Sequence, residues 1–292
     1  MDQLARVIKE MNLHVLSIDD VPESYSSTVY KLGLANRKTV FLKIPYSKEK
    51  LIREAESLEA LKGAIPVPNI RDYWEGNEEI IGALLLSCVE GEPATKKGDR
   101  RLAYDIGVHH AKMHTVVPDV NKEYRELSYI QEEWSTFLDT YFYNFAKDVD
   151  GAIPVDLYDQ TLELYESWKK RLPPPDGPSF IHMDFRPANI LTIDNQVSGI
   201  IDFESARFGS TEIDFTKINR DIFLRNPGTR EAYEEGYRSI RPLIDLDMIL
   251  PFYRFTDAFA SLGWSRRRGL DKHQVFFDKS LIILKELLLT LR

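Results

Sequence analysis

The stretch Ser179-Phe-Ile-His-Met-Asp-Phe-Arg-Pro-Ala-Asn-Ile-Leu-Thr-Ile-Asp194 constrains this chain more than any other. Two short apolar runs, Phe180-Ile181 and Ile190-Leu191, read as β-strands and bracket His182, Asp184 and Asn189. A third run, Gly199-Ile200-Ile201, delivers Asp202 at its end, with Phe203 and Glu204 following. Polar residues at strand ends in this arrangement point into a cleft. The amide oxygen of Asn189 and the carboxylate of Asp202 are hard donors, of the kind Mg²⁺ takes while it keeps waters and substrate phosphates. Asp184 is spaced to accept the proton of an attacking hydroxyl. A β-hairpin whose Asp and Asn are turn residues would explain a lone Asp-x-x-x-x-Asn. It does not explain His182, Asp184, Pro187, Asn189, Asp202 and Glu204 together.

The order His-x-Asp-x-x-x-x-Asn, with a later Asp-Phe pair, is that of the catalytic and metal loops of kinases. The stretch resembles the aminoglycoside phosphotransferase and choline kinase family of protein-kinase-like small-molecule kinases. That family usually reads His-Gly-Asp-x-His-Pro-x-Asn, then Ile-Asp-Phe/Trp-Glu; here Met183 and Arg186 stand in place of Gly and His. Both positions shape the loop and ligate no metal, so the departures bear on substrate detail and leave the reaction type alone. The resemblance implies a two-lobed α+β protein-kinase-like fold. Residues 1–87 would form a nucleotide-binding lobe of antiparallel sheet plus one helix, and residues 88–292 a larger, mostly helical lobe carrying the catalytic and metal loops. It also implies ATP and Mg²⁺ as cofactors, Asp184 as the catalytic residue, Asn189 and Asp202 as metal ligands, and a small-molecule hydroxyl as acceptor.

Upstream, residues 2–11 read as a short helix, and Thr28–Gly33 with Thr39–Ile44 as a hairpin. Where the resemblance places a phosphate-covering loop, Glu23–Thr28 contains no glycine. Alternation along the second strand buries Val40, Leu42 and Ile44 together and turns Phe41 and Lys43 the other way. A strand lysine by itself is ordinarily solvated. Residues 48–62, however, form a helix in which Leu51, Ala55, Leu58 and Leu61 share a stripe and Glu54 lies in its middle. A carboxylate on a packing face needs a cation. Lys43 is the nearest, and the family's strand-lysine to helix-glutamate pair maps onto Lys43 and Glu54, so that Lys43 would grip the nucleotide phosphates. On this reading Lys43→Ala weakens ATP binding and leaves the fold intact. Strands at 70–75 and 80–87 complete a sheet of roughly five strands, and Ser87-Cys-Val-Glu-Gly91 leads out of it. The resemblance puts an adenine-reading hinge here, at Ser87 and Val89; an ordinary strand exit explains the same residues.

The remainder reads as helical, at 102–116, 129–146, 156–171, 229–240, 246–264 and 271–291. His110 and His114 are expected to be packing or capping residues, since no Cys or carboxylate stands at metal spacing from them. Asp214 maps onto the family's aspartate that holds the catalytic loop from behind. A formal charge of −8 argues against nucleic acid as a partner and biases the surface towards cationic small molecules. No run approaches the roughly 18 apolar residues of a membrane span. The N-terminus shows no basic region followed by an apolar stretch, and a single cysteine, Cys88, suits a reducing compartment, so a cytoplasmic protein is expected. The reading from a different class is a nucleotide-binding protein of the same fold that acts as a sensor or partner without turnover.

Overall fold

The structure, a computed structural model, describes residues 3–21, 27–95, 99–127 and 134–290. Five strands, β1 (Val15–Asp20), β2 (Ser27–Leu34), β3 (Thr39–Pro45), β4 (Ile70–Trp74) and β5 (Ala83–Ser87), form an antiparallel sheet in the order β1-β2-β3-β5-β4. The helix α1 (Gln3–Glu10) covers one face, packing Leu4 and Val7 on Val40, Leu42, Ile44 and Leu85. The alternation of β3 turns Lys43 to the opposite face, where α2 (Lys48–Leu61) lies. Ser47 starts α2 as an N-cap, accepting from the Lys50 N–H. The apolar stripe of α2, Leu51, Leu58 and Leu61, joins Leu84 and Leu86 of β5 in a cluster that continues into the core of the remaining chain.

That remaining chain is built on α3 (Arg100–His114), α4 (Trp134–Val149), α5 (Val155–Lys169), α6 (Phe215–Ile218), α7 (Arg230–Arg238), α8 (Leu246–Arg268) and α9 (Leu270–Thr290). Residues 129–133 of the helix expected at 129–146, and most of the loop at 23–28, lie outside the described residues. The helices α3 and α7 cross at backbone contact. A Cβ on Gly107 would sit 2.1 Å from the Tyr233 carbonyl oxygen, and one on Gly236 2.0 Å from that of Tyr104. Only glycine allows this approach, which brings the tyrosines of α7 against the histidines of α3.

Five short strands hold the central loops: β6 (Glu92–Pro93), β7 (Ser179–Ile181), β8 (Ile190–Ile193), β9 (Gln196–Ile200) and β10 (Arg207–Gly209). The hairpin is β8–β9, turning at Asp194 and Asn195 with φ of +50° and +59°, and β6 adds a third strand to it. The strand β7 pairs elsewhere, with β10, Ile181 lying opposite Arg207. The loop between β7 and β8 is thus clamped by two ladders. A three-residue strand such as β10 carries too few positions for a readable alternation.

Candidate active site

Lys43 and Glu54 are 5 % and 2 % exposed, and Lys43 Nζ lies 2.7 Å from Glu54 Oε2, 2.6 Å from Asp202 Oδ1 and 3.4 Å from Glu204 Oε2. Burial works against the charge on this ammonium, but Asp202, Glu54 and Glu204 outweigh it and hold Lys43 above the usual lysine range. Burial likewise pushes Glu54 upward against the pull of Lys43. Lys50 takes the other oxygen of Glu204 at 2.9 Å, and Arg53 donates to the Glu204 carbonyl. The sequence reading of one lysine with one glutamate therefore becomes a cluster of three carboxylates around Lys43. Expecting an intact fold after Lys43→Ala is revised accordingly, because three acids would lose their common partner.

Asp184 lies in the loop between the two ladders. Asn189 Nδ2 donates to its carbonyl at 2.9 Å and to its Oδ2 at 3.1 Å, which leaves the Asn189 amide oxygen as a donor atom for a ligand. The Ile201 N–H donates to the Asn189 carbonyl at 3.0 Å, so the residue beside Asp202 is tied to Asn189. Asn189 and Asp202 together supply only oxygen, and this donor set fits Mg²⁺. Two cations reach Asp184: Arg186 Nε at 3.2 Å from Oδ2, and Lys217 of α6 on Oδ1. Burial raises the Asp184 carboxyl, but Lys217 and then Arg186 reverse this and hold it below the ordinary aspartate range. Lys217 was not read from the sequence, since nothing about a lysine 33 residues downstream marks it as facing Asp184.

Met183 adopts φ +66° and Asp202 φ +71°, both in the left-handed region that favours glycine. A side chain there costs roughly 1–2 kcal/mol, so the glycine expected at position 183 has a backbone reason. Met183→Gly is expected to keep the loop and raise stability by up to about 1 kcal/mol, less than the strain because glycine also loosens the unfolded chain. A lowered melting temperature would show that contacts of the methionine side chain outweigh the strain.

Asp214 braces the loop from behind. Its Oδ2 accepts the His182 N–H at 2.6 Å and its Oδ1 the Met183 N–H at 2.7 Å. His114 Nε2 lies 3.3 Å and His110 Nε2 3.7 Å from the same carboxylate. The two rings are oriented by Tyr237 and Tyr233, and His110 stacks on Phe185 at 3.9 Å. The chain path thus supplies a carboxylate partner that spacing along the sequence did not show. Its oxygens are taken up by loop amides, which matches a bracing role for both histidines. Burial pushes His110 down to about 3. Unfolded, it takes a proton below about 6.5, whereas the folded chain resists protonation, so this residue costs stability as the pH falls from about 6.5 towards 3. His110→Gln removes that slope. Between pH 7 and pH 5, its stability relative to wild type should shift in its favour by about 2 kcal/mol, measured by urea unfolding at both pH values. An unchanged difference would mean that His110 is not held neutral.

At the end of β5 the Ser87 N–H donates to the Asn69 carbonyl at 2.8 Å, and its hydroxyl accepts the Asn69 N–H at 2.8 Å. The Ser87 amide is therefore committed to Asn69, the residue before β4, and is not available to an adenine edge. The side chain of Val89 packs on Gly199 of β9, where a Cβ would sit 2.3 Å from Val89 Cγ1, and Ser198 Oγ holds the Glu90 carbonyl at 2.6 Å. The segment 87–91 is thereby anchored to the same hairpin that carries Asn189 and leads to Asp202.

Comparison with known proteins agrees with this frame. The profile of the family described as "Phosphotransferase enzyme family" matches residues 17–246. No curated protein matches. Among solved structures, the macrolide 2'-phosphotransferase of Brachybacterium faecium, as apoenzyme, superposes with a TM-score of 0.71 at 15 % identity, over 96 % of this chain and 98 % of its own. An amicoumacin kinase in complex with AMP-PNP, Ca²⁺ and Ami gives 0.73 at 16 % identity, over 99 % and 93 %. A thermostable mutant of an aminoglycoside phosphotransferase, in a ternary complex with ADP and hygromycin B, gives 0.72 at 14 % identity, over 99 % and 98 %. At these identities the likeness is one of fold, an N-terminal antiparallel sheet followed by a mostly helical region. A family profile that runs from β1 to the start of α8, on that kinase-like frame, leads to one conclusion: this chain belongs to the phosphotransferase enzyme family.

Proposed function

We propose that the protein transfers the γ-phosphoryl group of ATP to a hydroxyl of a small molecule. The observation that carries this reading is the joint between the two loops, in which Asn189 holds Asp184 through its amide nitrogen and receives the Ile201 N–H next to Asp202. Asp184 orients the acceptor hydroxyl and takes its proton as the new acceptor-oxygen to phosphorus bond forms and the bond to ADP breaks. Lys217 and Arg186 keep this carboxylate ionised and fix its direction. A depressed pKa makes Asp184 a weak base, which suits a loose phosphoryl-transfer transition state in which the carboxylate both positions the hydroxyl and receives its proton as the new bond forms. Lys43, held by Glu54, contacts the nucleotide phosphates, and Val89 marks the hinge against which the base lies; Ser87 fixes the end of β5. Asn189 and Asp202 would hold Mg²⁺, which when bound neutralises phosphate charge. Residues 1–87 act as the nucleotide-binding lobe and 88–292 as the acceptor lobe.

No helix among the described residues is long and apolar enough to cross a membrane, and the lone Cys88 supports a cytoplasmic setting. The test is ADP release from ATP and Mg²⁺ over a panel of hydroxyl acceptors; no release with any of them would reject the reading. Activity is expected to vanish when Mg²⁺ and Mn²⁺ are removed and to be indifferent to a zinc-selective chelator, because the donor set is oxygen only. Turnover that persists without either ion would reject Asn189 and Asp202 as ligands.

A further inference from the structure

Of four cationic side chains on or after the loop of Asp184, Arg186, Arg207, Lys217 and Arg220, one has no acid to neutralise it. Arg186 and Lys217 pair with Asp184 itself. Arg220, in the π-helical turn at 219–223, lies between Asp221 at 3.0 Å and Asp257 at 2.9 Å. Arg207 differs. It leaves β10 opposite Ile181, the last residue before the catalytic loop, with its guanidinium 5.1 Å from the Phe137 ring. Its Nε is buried without a hydrogen-bond partner, and among the described residues no carboxylate stands within ion-pair distance of it. Burial pushes it down to about 10, and the like charge of Arg53 acts in the same direction. The register of β10 on β7 sets Arg207 opposite Ile181, three residues before Asp184, and its charge, with those of Asp257, Asp184 and Arg220, acts on the Tyr141 hydroxyl, which burial raises above the usual tyrosine range.

A mostly buried cation without a counter-ion is unfavourable, and an anionic ligand relieves it. Next to it runs an aromatic ridge on one face of α4, Trp134, Phe137, Tyr141 and Phe145, each partly exposed and each ring packed on the next at 4.8, 6.1 and 5.2 Å. Resting on the phosphotransferase reading, we infer that the acceptor carries a carboxylate or phosphate group bound by Arg207, close to the hydroxyl that is phosphorylated, with its flat or apolar part against this ridge. The net charge of −8 biases the whole surface towards cations. At short range Arg207 decides instead, since Arg186 and Lys217 are already paired with Asp184, and it repels an amino group placed against it.

The experiment measures ADP release with ATP and Mg²⁺ for three groups of hydroxyl compounds. D-glycerate, D-gluconate, glycerol 3-phosphate and glucose 6-phosphate are anionic, glycerol and glucose neutral, choline and kanamycin cationic. An anion is expected to be the best substrate, and the carboxylates against the phosphates then identify which group Arg207 takes. Arg207→Gln should raise KM for that anion by about 10- to 100-fold with little change in kcat, as loss of a charge-assisted contact does. Arg207→Lys, which keeps the charge, should raise it less and serves if Arg207→Gln does not fold. Preference for choline or kanamycin, or a KM indifferent to both variants, overturns the inference and leaves the phosphotransferase standing. Absence of ADP release from all eight compounds counts against both.

Discussion

Asp184→Asn will lower turnover by about 10²- to 10⁴-fold, the usual worth of a general base. The amide still accepts the hydrogen bond from Asn189, so the loop keeps its shape. It cannot take the acceptor proton, and it gives up the charge that holds Lys217 and Arg186. Nucleotide affinity should change little, since Asp184 contacts the acceptor in this mechanism and Lys43 contacts the phosphates. The measurement is paired: the ATP dissociation constant and the turnover, on wild type and variant with the same acceptor. Undiminished turnover with tight ATP binding would remove Asp184 from the chemistry. A large loss of ATP affinity would instead mean that the substitution disturbs the metal and phosphate side through Asn189.

Lys43→Met is expected to cost about 3–5 kcal/mol of folding stability, beyond any effect on ATP. Glu54 and Glu204 are both buried, and with Asp202 they converge on one ammonium. Removing it leaves Glu204 with Lys50, Glu54 without its cation, and three like charges side by side. Such acids must be protonated or drawn into water, and either costs folding free energy. Urea unfolding of Lys43→Met against wild type measures the loss. The double variant Lys43→Met/Glu54→Gln should recover part of it, because one of the stranded charges is gone. A single-variant loss below about 1 kcal/mol, or no recovery in the double variant, would contradict the view of this cluster as one electrostatic unit.

What the sequence determined by itself is what local geometry dictates. Strand alternation puts Lys43 on the face opposite Val40, Leu42 and Ile44, and helix periodicity places Glu54 in the middle of the α2 stripe. Each rule acts within one element and gives only the face each residue takes; that Lys43 and Glu54 pair came from the need of a packed carboxylate for a cation and from the resemblance to the kinase family. The spacing of Asp184 and Asn189 is likewise confined to one short loop, where Asn189 reaches back to Asp184. Tertiary structure decided the rest. The carboxylate that braces the loop of Asp184 comes from Asp214 and meets a histidine 100 residues away on α3, a helix that packs closely on α7 because Gly107 and Gly236 lack side chains. Arg207 comes to stand opposite Ile181 through the pairing of β7 with β10, and Lys217 reaches Asp184 from a single turn of helix. No periodicity spans those separations. Which charges surround Asp184, and hence which molecules it can accept, follows from the path of the chain between elements.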